Sequence, residues 1–252
     1  MANKILNCIE TSGAALGTVC IFGSSFSIEC AAHAGYDFVL VDGQHGEFDR
    51  PRMAEAVRAL DATDCLAMAR PPGHEPHAIE WLLDIGYSTL LVPMVHTALQ
   101  AQSVVDAAYY PPAGKRSQAG VRAEVRGGPE YRRRSNDDVF LFLMIETVEG
   151  LENVEAIARI EGVSGIFIGT ADLASSMGVL PGQPMPPEYN DALARILEVT
   201  RAAGRIAAQA SPNAADARLR IQQGFQLVTI ASELRLLSEA HRKIISDTRD
   251  SA

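Results

Sequence analysis

At 252 residues, 47% of them apolar, the chain has the size and composition of one globular domain and lies near the roughly 250 residues of a (β/α)8 barrel. Its formal charge of −9, from 22 basic against 31 acidic residues, argues against nonspecific nucleic-acid binding, which needs a basic face to neutralise phosphates. No apolar run approaches the ~18 residues of a membrane helix, and the apolar stretch near the N-terminus is broken by Asn7 and Glu10, a poor signal peptide, so a cytoplasmic protein with no membrane partner is expected.

Strand-like and helical patterns then alternate along the chain. Leu16–Ile21 is the first strand candidate, followed by a helical stretch from Ser25 to Ala34. Asp37–Val41 (DFVLV) is a continuous apolar run of the kind found in strands buried on both faces. Asp49 with Pro51 is a cap and an early proline, predicting a helix over Pro51–Leu60. Strands at Cys65–Ala69 and Thr89–Val92 are separated by a helix at Pro76–Leu83, and a helix at Ala98–Ala108 follows. Pro111–Asp138 is too long for a structureless connection unless it is functional or has local structure of its own. It carries Lys115, Arg116, Arg122, Arg126, Arg132, Arg133 and Arg134 against Glu124, Glu130, Asp137 and Asp138, most of which read as solvated surface.

Val139–Ile145, Gly165–Gly169, Arg205–Ala210 and Leu227–Ile230 complete a set of eight strands, with helices expected at Gly150–Arg159 and Glu188–Ala203. Gly35, Gly86, Gly162 and Gly224 each stand just before a strand, where a helix ends in the left-handed conformation. The proline-rich Val179–Pro187 suits the rim of a mouth or contact with a neighbouring subunit, and Glu233–Arg249 reads as an amphipathic helix that closes the barrel or reaches a partner. Eight such units over residues 1–252 predict a single-domain α/β protein, a closed (β/α)8 TIM barrel. The chain has neither GxGxxG nor GxxxxGK[ST], which weakens a nucleotide-binding reading. Cys8, Cys20, Cys30 and Cys65 show no CxxC spacing and read as free thiols.

A parallel barrel gathers its chemistry at the C-terminal ends of its strands. Asp42, His45, Arg70, Glu146 and Asp172 stand at or just past such ends. Glu146 and Asp172 follow neighbouring strands, and two carboxylates with open positions suit Mg²⁺ or Mn²⁺; each is equally placed to cap the helix that follows it. Asp42 is close enough to His45 in the VDGQHG turn to orient its imidazole as a general base. Arg70, held before Pro71-Pro72-Gly73, can grip a carboxylate with its planar fork or form a structural ion pair. A Schiff-base route needs a lysine at a strand end, and Lys4, Lys115 and Lys243 are not so placed.

The segments VDGQHGEFD, RPPG, LLDIGYSTLLVPMV, YYPPAGKR and IETVEGLENVEAIARIEGVSGIFIGTADLASSMG occur in an order that resembles the HpcH/HpaI aldolase family, the metal-dependent class II pyruvate aldolases. The resemblance implies a TIM barrel assembled as a hexamer of dimers with swapped C-terminal helices. It also implies a divalent cation (Mg²⁺, Mn²⁺ or Co²⁺) at Glu146 and Asp172, substrate contacts at Arg70, Gly169, Thr170 and Ala171, and proton handling by Asp42 and His45. The implied reaction is reversible retro-aldol cleavage of a 4-hydroxy-2-oxo acid to pyruvate and an aldehyde. A citrate-lyase-type or malyl-CoA-type lyase, or a non-catalytic barrel that binds an oxo acid, is the alternative; the former needs a CoA site, for which only Pro111–Asp138 offers arginines. Departures from the family pattern are Gln44 for Glu, Met144 for Gln, Thr170 for Pro, and Ser117-Gln118-Ala119 for Gly-x-Gly.

Overall fold

The computed structural model describes residues 4–118 and 120–250; the departure at Ala119 lies outside them. Eight parallel strands close into a barrel in sequence order. The first half comprises α1 (Lys4–Ser12), β1 (Ala15–Cys20), α2 (Ser25–His33), β2 (Phe38–Asp42), α3 (Arg50–Asp61), β3 (Leu66–Arg70), α4 (Pro76–Asp84), β4 (Thr89–Val92) and α5 (Ala98–Ala108). The second half begins with α6 (Val121–Gly127), α7 (Tyr131–Asp138), β5 (Phe140–Ile145), α8 (Val148–Glu152), α9 (Val154–Ala158), β6 (Gly165–Ile168) and α10 (Thr170–Ser176). It ends with α11 (Pro187–Ala202), β7 (Ile206–Ser211), α12 (Ala214–Gln223), β8 (Leu227–Ser232) and α13 (Glu233–Asp250).

Strand alternation divides the core in two. Phe38, Leu40, Met68, Leu91, Phe142, Met144, Phe167, Ala208 and Leu227 point inward and fill the lumen, as the inward positions of a closed eight-stranded barrel must. The intervening residues, such as Val39, Val41, Leu141, Leu143 and Ile166, face the helices and form the larger outer cluster. Size alternates within the lumen: a Cβ on Gly17 would lie 2.4 Å from the Phe38 ring, and one on Gly165 2.5 Å from that of Phe142. Two phenyl rings thus occupy the volume that two glycines leave, each ring contributing about 2–3 kcal/mol by its burial.

Strand positions agree with expectation to within one or two residues. The sequence did not announce α1, α10 or α12, and the Gly150–Arg159 helix is two short ones meeting at Asn153. Pro111–Asp138 is not one loop, since it folds into α6 and α7. Arg116 departs from the solvated reading: only 2% of it is exposed, it pairs with Asp84 at 2.7 Å and stacks over Tyr110 at 4.5 Å. Cys8, Cys20 and Cys65 are buried free thiols, and Cys30 is exposed. No helix among the described residues is long and apolar enough to cross a membrane. Along α13, Leu234, Leu236, Leu237, Ile244 and Ile245 are exposed.

Candidate active site at the barrel mouth

The mouth is built from strand ends. β2 ends in Asp42 and β3 in Arg70, which are register partners. Their side chains form a two-pronged pair: Arg70 Nε donates to Asp42 Oδ1 at 2.8 Å and Nη2 to Oδ2 at 2.5 Å. The backbone N–H groups of Gln44 and His45 also donate to Asp42 Oδ1, at 3.0 and 3.2 Å. Burial by itself would raise the Asp42 carboxyl, but the hydrogen bonds and charge of Arg70, with those N–H groups, hold it below its ordinary value.

This overturns the expected Asp42–His45 pairing. Asp42 is spent on the guanidinium and on the backbone of the turn, so it does not orient the imidazole. The His45 ring has no hydrogen-bond partner among the described residues, and His45 is exposed at the rim. The structure shows the ion-pair reading of Arg70, which keeps 15% of its side chain open. A guanidinium has five donors, and Asp42 uses two of them.

Glu146 follows β5 and is 2% exposed. Its Oε1 accepts the N–H of Met94 at 2.6 Å. Met94 follows β4 with φ 57, a conformation uncommon for a residue with a Cβ and frequent at functional sites. Burial raises the Glu146 carboxyl; the Met94 N–H opposes the rise, the Asp172 carboxylate adds to it, and the Arg70 charge opposes it. The buried Glu146 carboxyl is thus within electrostatic reach of both the Arg70 guanidinium and the Asp172 carboxylate.

The capping alternatives for the two acids fail. Thr147 itself caps α8, its Oγ1 accepting from Gly150 N at 3.1 Å, and also meets His96 Nδ1 at 2.8 Å. The N-cap of α10 is Gly169, and no backbone N–H donates to Asp172 among the described residues; Asp172 is exposed at the rim.

Two carboxylates facing one space, one buried and one exposed, fit a divalent cation whose other positions go to water and substrate oxygens. Among the described residues no group of three or more His, Cys, Asp or Glu is clustered so as to hold a metal ion. Gly169 makes room for the buried carboxylate: a Cβ there would stand 2.6 Å from Glu146 Cβ and 2.8 Å from its Oε2. Thr170 and Ala171 continue into the first turn of α10 beside Asp172.

Sequence reading missed the Met94 N–H and Glu233, whose Oε2 accepts from Ile21 N at 2.6 Å and Phe22 N at 3.0 Å and ties the end of β1 to the start of α13. Pro93 stands just past β4, but nothing in the sequence marks Met94 for positive φ. The lysines lie elsewhere: Lys4 is on α1, Lys115 pairs with Asp106 and Lys243 with Asp247. The arginine-rich segment precedes β5, at the opposite end of the barrel from the mouth. Its cations are engaged: Arg122 and Arg126 with Asp61, each at 2.6 Å, Arg133 with Glu130, Arg134 with Asp138, and Arg132 over the Tyr110 ring. A CoA site on that segment finds no support.

Known proteins share this architecture. The chain is 38% identical over 219 residues to a 4-hydroxy-2-oxovalerate aldolase of Rhodococcus jostii, covering 86% of this chain and 84% of the relative. It is 36% identical over 228 residues to a hydroxypyruvate/pyruvate aldolase of Chromohalobacter salexigens, covering 89% of each. The crystal structure of an HpcH/HpaI aldolase/citrate lyase family protein from Burkholderia cenocepacia superposes with a TM-score of 0.92 at 30% identity, covering 98% of this chain and 100% of that one. The family model for HpcH/HpaI aldolase/citrate lyase matches residues 23–240, a span that holds all five mouth residues. With the mouth and the sequence both in agreement, this chain belongs to the HpcH/HpaI aldolase/citrate lyase family.

Proposed function

We propose that the protein is a carbon–carbon lyase, a class II aldolase that reversibly cleaves a 4-hydroxy-2-oxo acid to pyruvate and an aldehyde. The observation that supports this reading is that the Arg70 guanidinium, ion-paired with Asp42 at the strand ends, and the Asp172 carboxylate both act on the buried Glu146 carboxyl. The aldolase names of its relatives support it.

Arg70 binds the carboxylate of the oxo acid with the donors that Asp42 leaves open, fixing the pyruvyl end. His45 takes the C4 hydroxyl proton, directly or through one water, as the C3–C4 bond breaks. The bonding pair passes to C3 and into conjugation with the ketone, the hydroxyl oxygen becomes the aldehyde carbonyl, and C3 then takes a proton from water. A divalent cation (Mg²⁺, Mn²⁺ or Co²⁺) held by Glu146 and Asp172 would supply positive charge at the developing enolate oxygen when bound. Gly169, Thr170 and Ala171 line the approach between the two ligand positions. Pyruvate release from a panel of 4-hydroxy-2-oxo acids, with and without EDTA, tests the reading. Release that EDTA stops is expected; cleavage of acyl-CoA esters alone would overturn it.

Because Asp42 acts through Arg70, Asp42→Asn is expected to raise KM for the oxo acid and to leave the pH profile of kcat in place. The buried pair also contributes to stability. Its loss should fall toward the low end of about 3–5 kcal/mol, since Arg70 keeps some water. The folded-state pKa of Asp42 is depressed, so the contribution is full above its ordinary value near 3.8 and fades as pH falls through the folded one. Urea titrations of both proteins at pH 7 and pH 3 read this; a difference that persists undiminished at the lower pH would refute it.

The exposed leucines and isoleucines of α13 support a homo-oligomer, and the family resemblance suggests a hexamer with exchanged C-terminal helices. Sedimentation equilibrium should give a mass several times 27.0 kDa, and a monomer at micromolar concentration would exclude it.

A further inference from the structure

β8 and β1 close the barrel, and their pairing carries an irregularity. From Gly17↔Thr229 to Val19↔Ser232, β8 takes three steps where β1 takes two, and Ala231 within that span has φ 58. An extra residue in one strand bends it and re-aims the side chains that follow. The first of those is Glu233, which opens α13. Its Oε2 accepts from Ile21 N and Phe22 N, and bonds to an ionised acceptor are shorter and stronger than neutral ones. Its Oε1 is buried near Cys20, whose thiol is pushed up by burial first and by this carboxylate second. Glu233 therefore fixes the backbone just past β1.

That backbone in turn supports the loop that carries His45. Ile21 O accepts from Glu47 N at 2.8 Å, two residues after His45. A Cβ on Gly46 would stand 3.0 Å from Ile21 O, and one on Gly23, where φ is 67, would stand 2.6 Å from Glu47 O. The two loops thus meet backbone to backbone. On its other side His45 is held by its own N–H, which donates to Asp42 Oδ1 at 3.2 Å. His45 lies between two anchors, one set by Asp42 on β2 and one by Ile21 past β1, and Glu233 holds the second.

We propose that Glu233 is a positioning residue for the base: through Ile21 and Glu47 it sets where the His45 imidazole stands, and with it the rate of C4 proton removal. The inference rests on the aldolase reading above, with His45 as its base. A group misplaced by about 1 Å costs on the order of 10²-fold in rate. Arg70 ends β3, Glu146 follows β5 and Asp172 lies on α10, so the pyruvyl end and the cation positions do not share this path.

The test measures retro-aldol kcat and KM, Mn²⁺ affinity, and exchange of pyruvate methyl protons with deuterium in full-length Glu233→Ala, Glu233→Gln and Gly23→Ala. Glu233→Ala should lower cleavage kcat roughly ten- to a hundredfold, with exchange, Mn²⁺ affinity and KM for the oxo acid in place. Gln still offers an oxygen to both N–H groups, so Glu233→Gln should stay within about threefold of the parent. Gly23→Ala presses on Glu47 O from the far side of the same contact and should reproduce the Glu233→Ala pattern. In a His45→Ala background, Glu233→Ala should cost cleavage less than about twofold, since the group it positions is gone. Unchanged cleavage in Glu233→Ala (in Gly23→Ala, should the first not fold), a parallel fall in exchange, or an undiminished loss without His45 overturns the assignment. Absence of both exchange and cleavage in the unaltered enzyme overturns the aldolase reading itself.

Discussion

Glu146→Gln should abolish tight divalent-cation binding and lower retro-aldol kcat by roughly a thousandfold or more, without unfolding the protein. A cation at a developing enolate oxygen supplies several kcal/mol, and each 1.36 kcal/mol is about tenfold in rate. Gln keeps an oxygen for the Met94 N–H, so the local backbone retains its partner. It also removes a buried negative charge that burial already disfavours and that faces a second carboxylate, so the metal-free variant should melt at or above the temperature of the metal-free parent. Loss of activity with retained stability separates a ligand from a structural residue. Gly169→Ala forms a graded companion: its Cβ would press on Glu146, and misplacing a ligand typically costs about 10–100-fold in metal affinity. Calorimetric titration with Mn²⁺ reads both variants. Cleavage by Glu146→Gln at the parent rate in the presence of EDTA would remove the cation from the proposed function.

His45→Ala should cost on the order of 10²–10⁴ in kcat for cleavage, the scale of a lost general base. Metal affinity should stay as it was, because His45 is not among the proposed ligands. Exchange of pyruvate methyl protons should also persist, since it involves no C4 hydroxyl. The structure sharpens this expectation: Asp42 is held by Arg70 and by two backbone N–H groups, so deleting the imidazole leaves the carboxylate-binding pair intact. KM for the oxo acid should therefore move little, in contrast with Asp42→Asn. Unchanged cleavage would strike His45 from the reaction, and loss of Mn²⁺ binding would make it a ligand.

The sequence determined the barrel and the residues that could do its chemistry. Short, continuous apolar runs ending at Asp42, Arg70 and Glu146 are local properties, and a closed parallel sheet has only one rim where such ends can gather. Strand bounds could be read because they rest on hydrophobic patterning; α1, α10 and α12 could not, since their apolar stripes are short and depend on what they cover.

Only the tertiary structure decided how the gathered groups divide their bonds. Asp42 is three residues from His45 but 28 from Arg70, and it is Arg70 that it holds, because adjacent strands in register set those two side chains face to face. Within the turn, the acid accepts from the backbone N–H groups of Gln44 and His45 and not from the imidazole. Likewise Met94 reaches Glu146 across 52 positions, through a positive φ that no side-chain chemistry announces. Arg116 reads as one more surface charge until α4 and α7 close around it. Hydrogen-bond partnership is a matter of through-space distance, and for residues on different strands that distance is fixed by barrel register, not by spacing along the chain.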